Sequence, residues 1–135
     1  MPIFILFITL MLLGCDNDPT SRIYDWNGSD AEFHEIFKLT DSAESNRSFF
    51  LVEKESGKPF SGEISRSEKQ RVTKQTFSGG LLNGKSIKSS PDGSWVEANY
   101  KNGQLHGKMI FYDADGKARS TMNYQEGKLE LVGVN

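Results

Sequence analysis

Two histidines, a single cysteine and a spaced pair of aspartates are the residues whose types could carry chemistry in this 135-residue chain. A metal centre needs three or four donors at recurring close spacing. His34 stands beside Glu35 and His106 between Leu105 and Gly107, neither with a ligand cluster around it. A solvent-facing side chain is the better reading of both. Nucleophilic catalysis needs a serine or thiol held for attack, and no serine stands in Gly-x-Ser-x-Gly. Ser78-Gly79-Gly80 lacks the Gly-Lys-Ser/Thr ending and following helix that would make it a phosphate cradle. Asp113 and Asp115 are paired acids, but Gly116 follows them and such residues are expected in turns. These patterns predict a protein that binds rather than an enzyme, with no cofactor and no metal.

The one thiol has a context of its own. Residues 3–13 are apolar except for Thr9, and the run closes on Leu12-Leu13-Gly14-Cys15. A membrane-spanning helix needs about twenty apolar residues, so this run is short. A core helix of this kind would be apolar all round, which a small domain rarely buries. The tetrapeptide resembles the bacterial lipobox, an aliphatic residue and a small residue leading to a cysteine. The resemblance implies a signal peptide at 1–14, cleavage after Gly14 and lipid on the sulfur and amine of Cys15. Leu13 is bulkier than the residue usual at its place. No Lys or Arg precedes Arg22, although signal peptides open on a positive segment. In enteric lipoproteins an aspartate after the lipidated cysteine tends to hold the protein in the inner membrane. Asp16 is that residue, so the resemblance implies an envelope protein, inner membrane favoured over outer.

The formal charge of −2 is unevenly spread. Residues 16–48 hold eight acids against three bases, and residues 49–135 hold ten acids against thirteen bases. The second part is mildly basic with interspersed signs, and it lacks the basic run of a nucleic-acid arm. With Cys15 assigned to lipid no disulfide is left, so the fold must stand on packing.

The body of the chain repeats. Phe77-Ser-Gly-Gly80-Leu-Leu82-Asn-Gly84 aligns with Tyr100-Lys-Asn-Gly103-Gln-Leu105-His-Gly107 and, in part, with Tyr124-Gln-Glu-Gly127-Lys-Leu129. Asp92-Gly93 and Asp115-Gly116 recur between copies, and Gly57-Lys-Pro-Phe60-Ser-Gly62 opens the first. Val96, Ala98 and Tyr100 alternate onto one face of a strand, as do Ser120, Met122 and Tyr124 one repeat later. Met109 and Phe111 fall on one side of their strand, Ile110 and Tyr112 on the other. Asn102-Gly103 and Asp115-Gly116 are tight-turn dipeptides. Each repeat is therefore expected to be two strands and two turns, and successive copies to stack as an antiparallel meander.

This period and motif resemble the MORN repeat in its bacterial, YwqK-type variant, over residues 49–130. Tyr100 to Gly116 fits best. Lys88 stands where the second copy has the aromatic Phe111, and Leu131 stands where a second glycine belongs. The fold the resemblance implies is all-β: MORN-like β-hairpin repeats in an elongated single-layer sheet. The glycines are read as backbone devices and the tyrosines and leucines as its packing ladder. A strip of Tyr100, Tyr112 and Tyr124, with Lys101 and Lys108, is the candidate binding face.

Ahead of the repeats, residues 16–27 are mostly polar and aperiodic, which suits a tether. Ser29-Asp-Ala-Glu32 reads as a capping box, and Phe33, Ile36 and Phe37 follow at helical spacing. A short helix over about 30–39 is expected, docked on the first repeat, since it is too short to stand alone. The expected divisions are a signal peptide at 1–14, the lipidated cysteine and tether at 15–28, a capping helix and linker at 29–48, and the repeat domain at 49–135.

Three functions compete. The first is an envelope lipoprotein presenting its sheet to a protein partner by strand addition or flat contact. YwqK-type proteins are commonly labelled antitoxins, so the resemblance also implies a neutraliser of a toxin. The third is a module for lipid headgroups or cell-wall glycan, for which the mild basic excess is a thin basis. No nucleic-acid partner is expected, and a homodimer through terminal strands would be an alternative to the helical cap.

Overall fold

The computed structural model describes residues 22–41 and 49–131. Cys15, Asp16 and the apolar opening lie outside the described residues. In chain order the elements are β1 (Arg22–Ile23), β2 (Trp26–Ser29), α1 (Asp30–Ile36), β3 (Phe37–Asp41), β4 (Phe49–Glu53), β5 (Phe60–Glu68), β6 (Arg71–Ser78), β7 (Leu81–Ser89), β8 (Trp95–Lys101), β9 (Gln104–Tyr112), β10 (Ala118–Gln125) and β11 (Lys128–Leu129). The protein is mostly strand, with one short helix and a large, mostly antiparallel sheet. From β5 to β11 each strand pairs with the next in sequence. β1 and β2 lie along the free side of β5 and run parallel to it. β3 and β4 form a separate hairpin.

The sequence period is also a period of pairing. Phe77 faces Leu82, Tyr100 faces Leu105 and Tyr124 faces Leu129 across three two-residue turns. On its other side each aromatic faces a glycine of the strand before: Gly62, Gly84 and Gly107. Both residues of the turns Gly79-Gly80, Asn102-Gly103 and Glu126-Gly127 have positive φ, the conformation whose twist matches a hairpin. The second amide of each turn reaches out of its own hairpin. Gly80 donates to the Phe60 carbonyl at 2.7 Å, Gly103 to Leu82 at 2.7 Å and Gly127 to Leu105 at 2.8 Å. Each turn thus hangs on the copy before it.

The glycines facing the aromatics have φ of 134°, 112° and 92°, where a side chain is strained. At Gly62 there is a second constraint. Tyr24 and Asp25 cross over it between β1 and β2, and a Cβ would lie 2.0 Å from the Tyr24 carbonyl oxygen. Leu131 occupies the fourth such position, and β11 ends two residues earlier. A leucine disfavours the backbone that lets the other copies continue.

The core sits at one end of this sheet. Phe33, Phe37, Leu51, Phe60, Ile64 and Phe77 are buried together, with Tyr24, Trp26 and Leu82 packed against them. Phe37 meets Phe60 edge-on at 5.1 Å and Trp26 edge-on at 5.6 Å. These contacts explain three departures from the sequence expectations. The helix stops at Ile36 because Phe37 turns extended (φ −114°, ψ 157°) and its strand pairs with β4, while the Lys54 amide takes the Ile36 carbonyl. The segment expected as linker therefore contains β3. Residues 22–28, expected as tether, join the sheet through β1 and β2, in parallel and not as part of the meander. Phe49 to Glu53 pairs with β3, so the repeat sheet begins at β5.

The glycine geometry predicts an order of damage. Gly62→Ala should destabilise by roughly 3 kcal/mol or more, because backbone must move as well as strain. Gly84→Ala, whose Cβ would meet only Thr76 at 3.4 Å, should cost about 1–2 kcal/mol. Chemical denaturation of both variants checks this, and equal losses would contradict the close approach at Gly62.

Candidate functional site

Alternation along paired strands sorts the repeat half into two faces. On the inner face one row of paired residues runs Arg66, Thr73, Lys88, Val96, Phe111, Ser120, and a second runs Ile64, Gln75, Ser86, Ala98, Met109, Met122. Tyr100, Leu105 and Tyr124 share that face nearer the tight turns. The outer face carries Ile87, Glu97, Ile110 and Thr121 in one row, with Trp95 paired to Tyr112 beside it.

The three candidate tyrosines therefore do not form one strip. Tyr100 shares its face with Ala98, which pairs with Met109, and Tyr112 lies three residues beyond Met109, so it points to the opposite face. Tyr100 and Tyr124 are half-buried on the inner face; burial pushes the Tyr100 hydroxyl pKa up. Tyr112 stacks on Trp95 on the outer face, with centroids 4.7 Å apart and planes 13° apart. Lys108 shares the outer face with Tyr112, and its carbonyl accepts from Asn99 Nδ2 at 3.0 Å. Lys101 flanks the Asn102-Gly103 turn opposite Gln104. Neighbouring Lys85 approaches Glu97 at 3.5 Å.

The inner face is unevenly covered. α1 and the β3–β4 hairpin close it over Phe60, Ile64 and Phe77, and Leu82 is the last residue packed on that core. Beyond it Val96, Leu105, Met109 and Met122 are half-buried, and Phe111 is exposed. The outermost inner-face row holds a feature the sequence reading missed. Asp30, Arg66, Glu68, Arg71, Thr73 and Lys88 line a cleft of about 310 Å³ with Ser89 and Ser90. Its signal in the sequence was Lys88 at the position where the next copy has Phe111.

No family model, curated protein or solved structure matches the chain.

The two histidines differ. The His34 ring is exposed and lies 3.4 Å from Asp30. His106 departs from the solvent-facing expectation: its Nδ1 is buried with no hydrogen-bond partner among the described residues. Among those residues no group of three His, Cys, Asp or Glu could hold a metal, and no helix is long and apolar enough to cross a membrane.

The acids at the repeat turns work on the backbone. Asp113 accepts from the amides of Lys117 at 2.8 Å and Asp115 at 3.1 Å, and from Arg119 Nε at 2.6 Å. The Lys117 amide above all, then the Arg119 guanidinium, hold its pKa below the usual carboxylate range. Asp92, one copy earlier, is lowered by the hydroxyl and amide of Ser94, and Glu32 by the amide and hydroxyl of Ser29. A carboxyl depressed in the fold stabilises it above the unfolded pKa and loses that contribution as pH falls through the folded value. Thermal stability should therefore hold near neutrality and drop below about pH 4. Asp113→Asn should show a smaller drop in an acid melting series; an unchanged pH profile would contradict the assignment.

Proposed function

We propose that this chain is a lipid-anchored bacterial envelope protein presenting a MORN-type repeat sheet as a non-enzymatic module for binding another protein. The observation that carries the binding role is the uneven cover of the inner face. One end is sealed by an aromatic core, while the strands from β8 onward leave Val96, Leu105, Met109 and Met122 half-buried and Phe111 exposed. Contiguous apolar surface left uncovered suits a protein contact. The MORN-type assignment draws support from the motif itself, since its aromatic, leucine and glycine positions are the ones that face each other in the sheet. The anchor rests on Leu12-Leu13-Gly14-Cys15.

Labelling with radioactive palmitate, followed by membrane fractionation, tests the anchor. The native chain should take up label and sediment with membranes, and Cys15→Ser should be unlabelled and released. Two unlabelled, unsedimented chains would remove the envelope reading. The binding role predicts that Met109→Asp, a charge between Ala98 and Met122 in the centre of the apolar surface, abolishes partner capture with an unchanged circular dichroism spectrum. Capture that survives the charge would place the contact elsewhere.

A further inference from the structure

We propose that the polar cleft at the outer end of the inner face binds a carboxylate on an acidic segment of a partner protein. Arg66 and Glu68 stand on β5, Arg71 and Thr73 on β6 and Lys88 on β7. Register places Arg66 beside Thr73, Thr73 beside Lys88 and Glu68 beside Arg71. Adjacent strands lie about 4.8 Å apart, so three cations crowd into the width of three strands. Among the described residues only one is spent in an ion pair. Arg66 pairs with Asp30 at 3.1 Å, and its guanidinium lies 4.5 Å over the Phe33 ring, which fixes that wall of the cleft. Arg71 and Lys88 close no ion pair among the described residues, although Glu68 faces Arg71.

The charge of the cleft selects the ligand. Three cations against Asp30 and Glu68 leave an excess of one positive charge. That matches one carboxylate; a phosphate dianion would meet the two resident acids with too little compensation. The Thr73 and Ser90 hydroxyls add donors, whereas Ser89 Oγ is already engaged with the Val72 backbone. The next copy does not repeat the cleft, because Phe111 stands there in the row that Lys88 occupies.

Its place in the fold favours a protein over a membrane surface, a point that rests on the lipid-anchor reading. The described chain enters the sheet at Arg22, beside Phe60 at the start of β5. The cleft lies at the other end of that strand, about 20–25 Å away at a strand's rise per residue. Lipid on Cys15 would tether the start of β5, the end of that strand away from the cleft, to the bilayer.

The test is a titration of the 15N-labelled full chain in detergent with the capped peptide acetyl-Gly-Glu-Gly-amide, followed by amide shifts. Saturable shifts are expected at Thr73, Lys88 and Ser90, with millimolar affinity that weakens as salt is raised. Lys88→Glu should abolish them, Lys88→Arg should keep them, and the glutamine peptide should give none. Absent or non-saturable shifts, shifts from the glutamine peptide, or shifts indifferent to Lys88→Glu would overturn the site. Tighter binding of inorganic phosphate than of the peptide would overturn the carboxylate assignment. Lys88-dependent binding to phosphatidylglycerol vesicles would assign the cleft to headgroups instead. The same titration on Cys15→Ser reads the cleft without lipid, so failure of the anchor and failure of the cleft give different results.

Discussion

The sheet depends on one recurring hydrogen bond, from the second amide of each tight turn to a carbonyl one copy back. Gly80, Gly103 and Gly127 each make it, to Phe60, Leu82 and Leu105. A turn amide would ordinarily meet water; here it ties a hairpin to its predecessor. The bond forms only if the turn has positive φ at both residues and the aromatic–leucine pair holds the strands in register. The facing glycine must also let the next strand bend past the aromatic. The motif is thus a single geometric requirement spread over eight residues, and Leu131 marks where it fails.

A ladder of this kind has no core of its own. The side chains of a single sheet shield one another only in part, which accounts for the half-buried state of Met109, Met122 and Tyr124. Six buried apolar residues at the β5 end supply what the ladder lacks, at about 1.5–3 kcal/mol for each large side chain buried. α1 serves this end more than it serves itself: its capping box fixes the start, and Phe33 and Phe37 close over Phe60. The same arrangement leaves the later strands open, so the surfaces offered to a partner follow from where the core stops.

The repeat was legible because its signals are local. Asn102-Gly103 and Asp115-Gly116 determine turns almost by themselves, and Val96, Ala98 and Tyr100 alternate without interruption. The elements before the repeat were not legible in the same way. Phe37 continues a helical spacing and leaves the helix because β4, many residues later, offers it a strand partner. Residues 22–29 carry no period, and they become strands because β5 has a free edge and Gly62 lets Tyr24 cross it. The tyrosine strip failed on parity: the distance from Met109 to Tyr112 could be counted, but its consequence needed the pairing of Ala98 with Met109. The cleft needed the docking of Asp30 onto Arg66, which no spacing in the sequence expresses.

Native-state hydrogen exchange at the three turn glycines tests the stacking of the copies most directly. If each turn hangs on the copy before it, the amides of Gly80, Gly103 and Gly127 exchange far more slowly than turn amides open to water. Protection should fall from Gly80, beside the aromatic core, to Gly127 at the far end. Exchange of all three at the rate of an unstructured peptide, with β8 and β9 still protected, would show hairpins that lie side by side without this bond and would contradict the account.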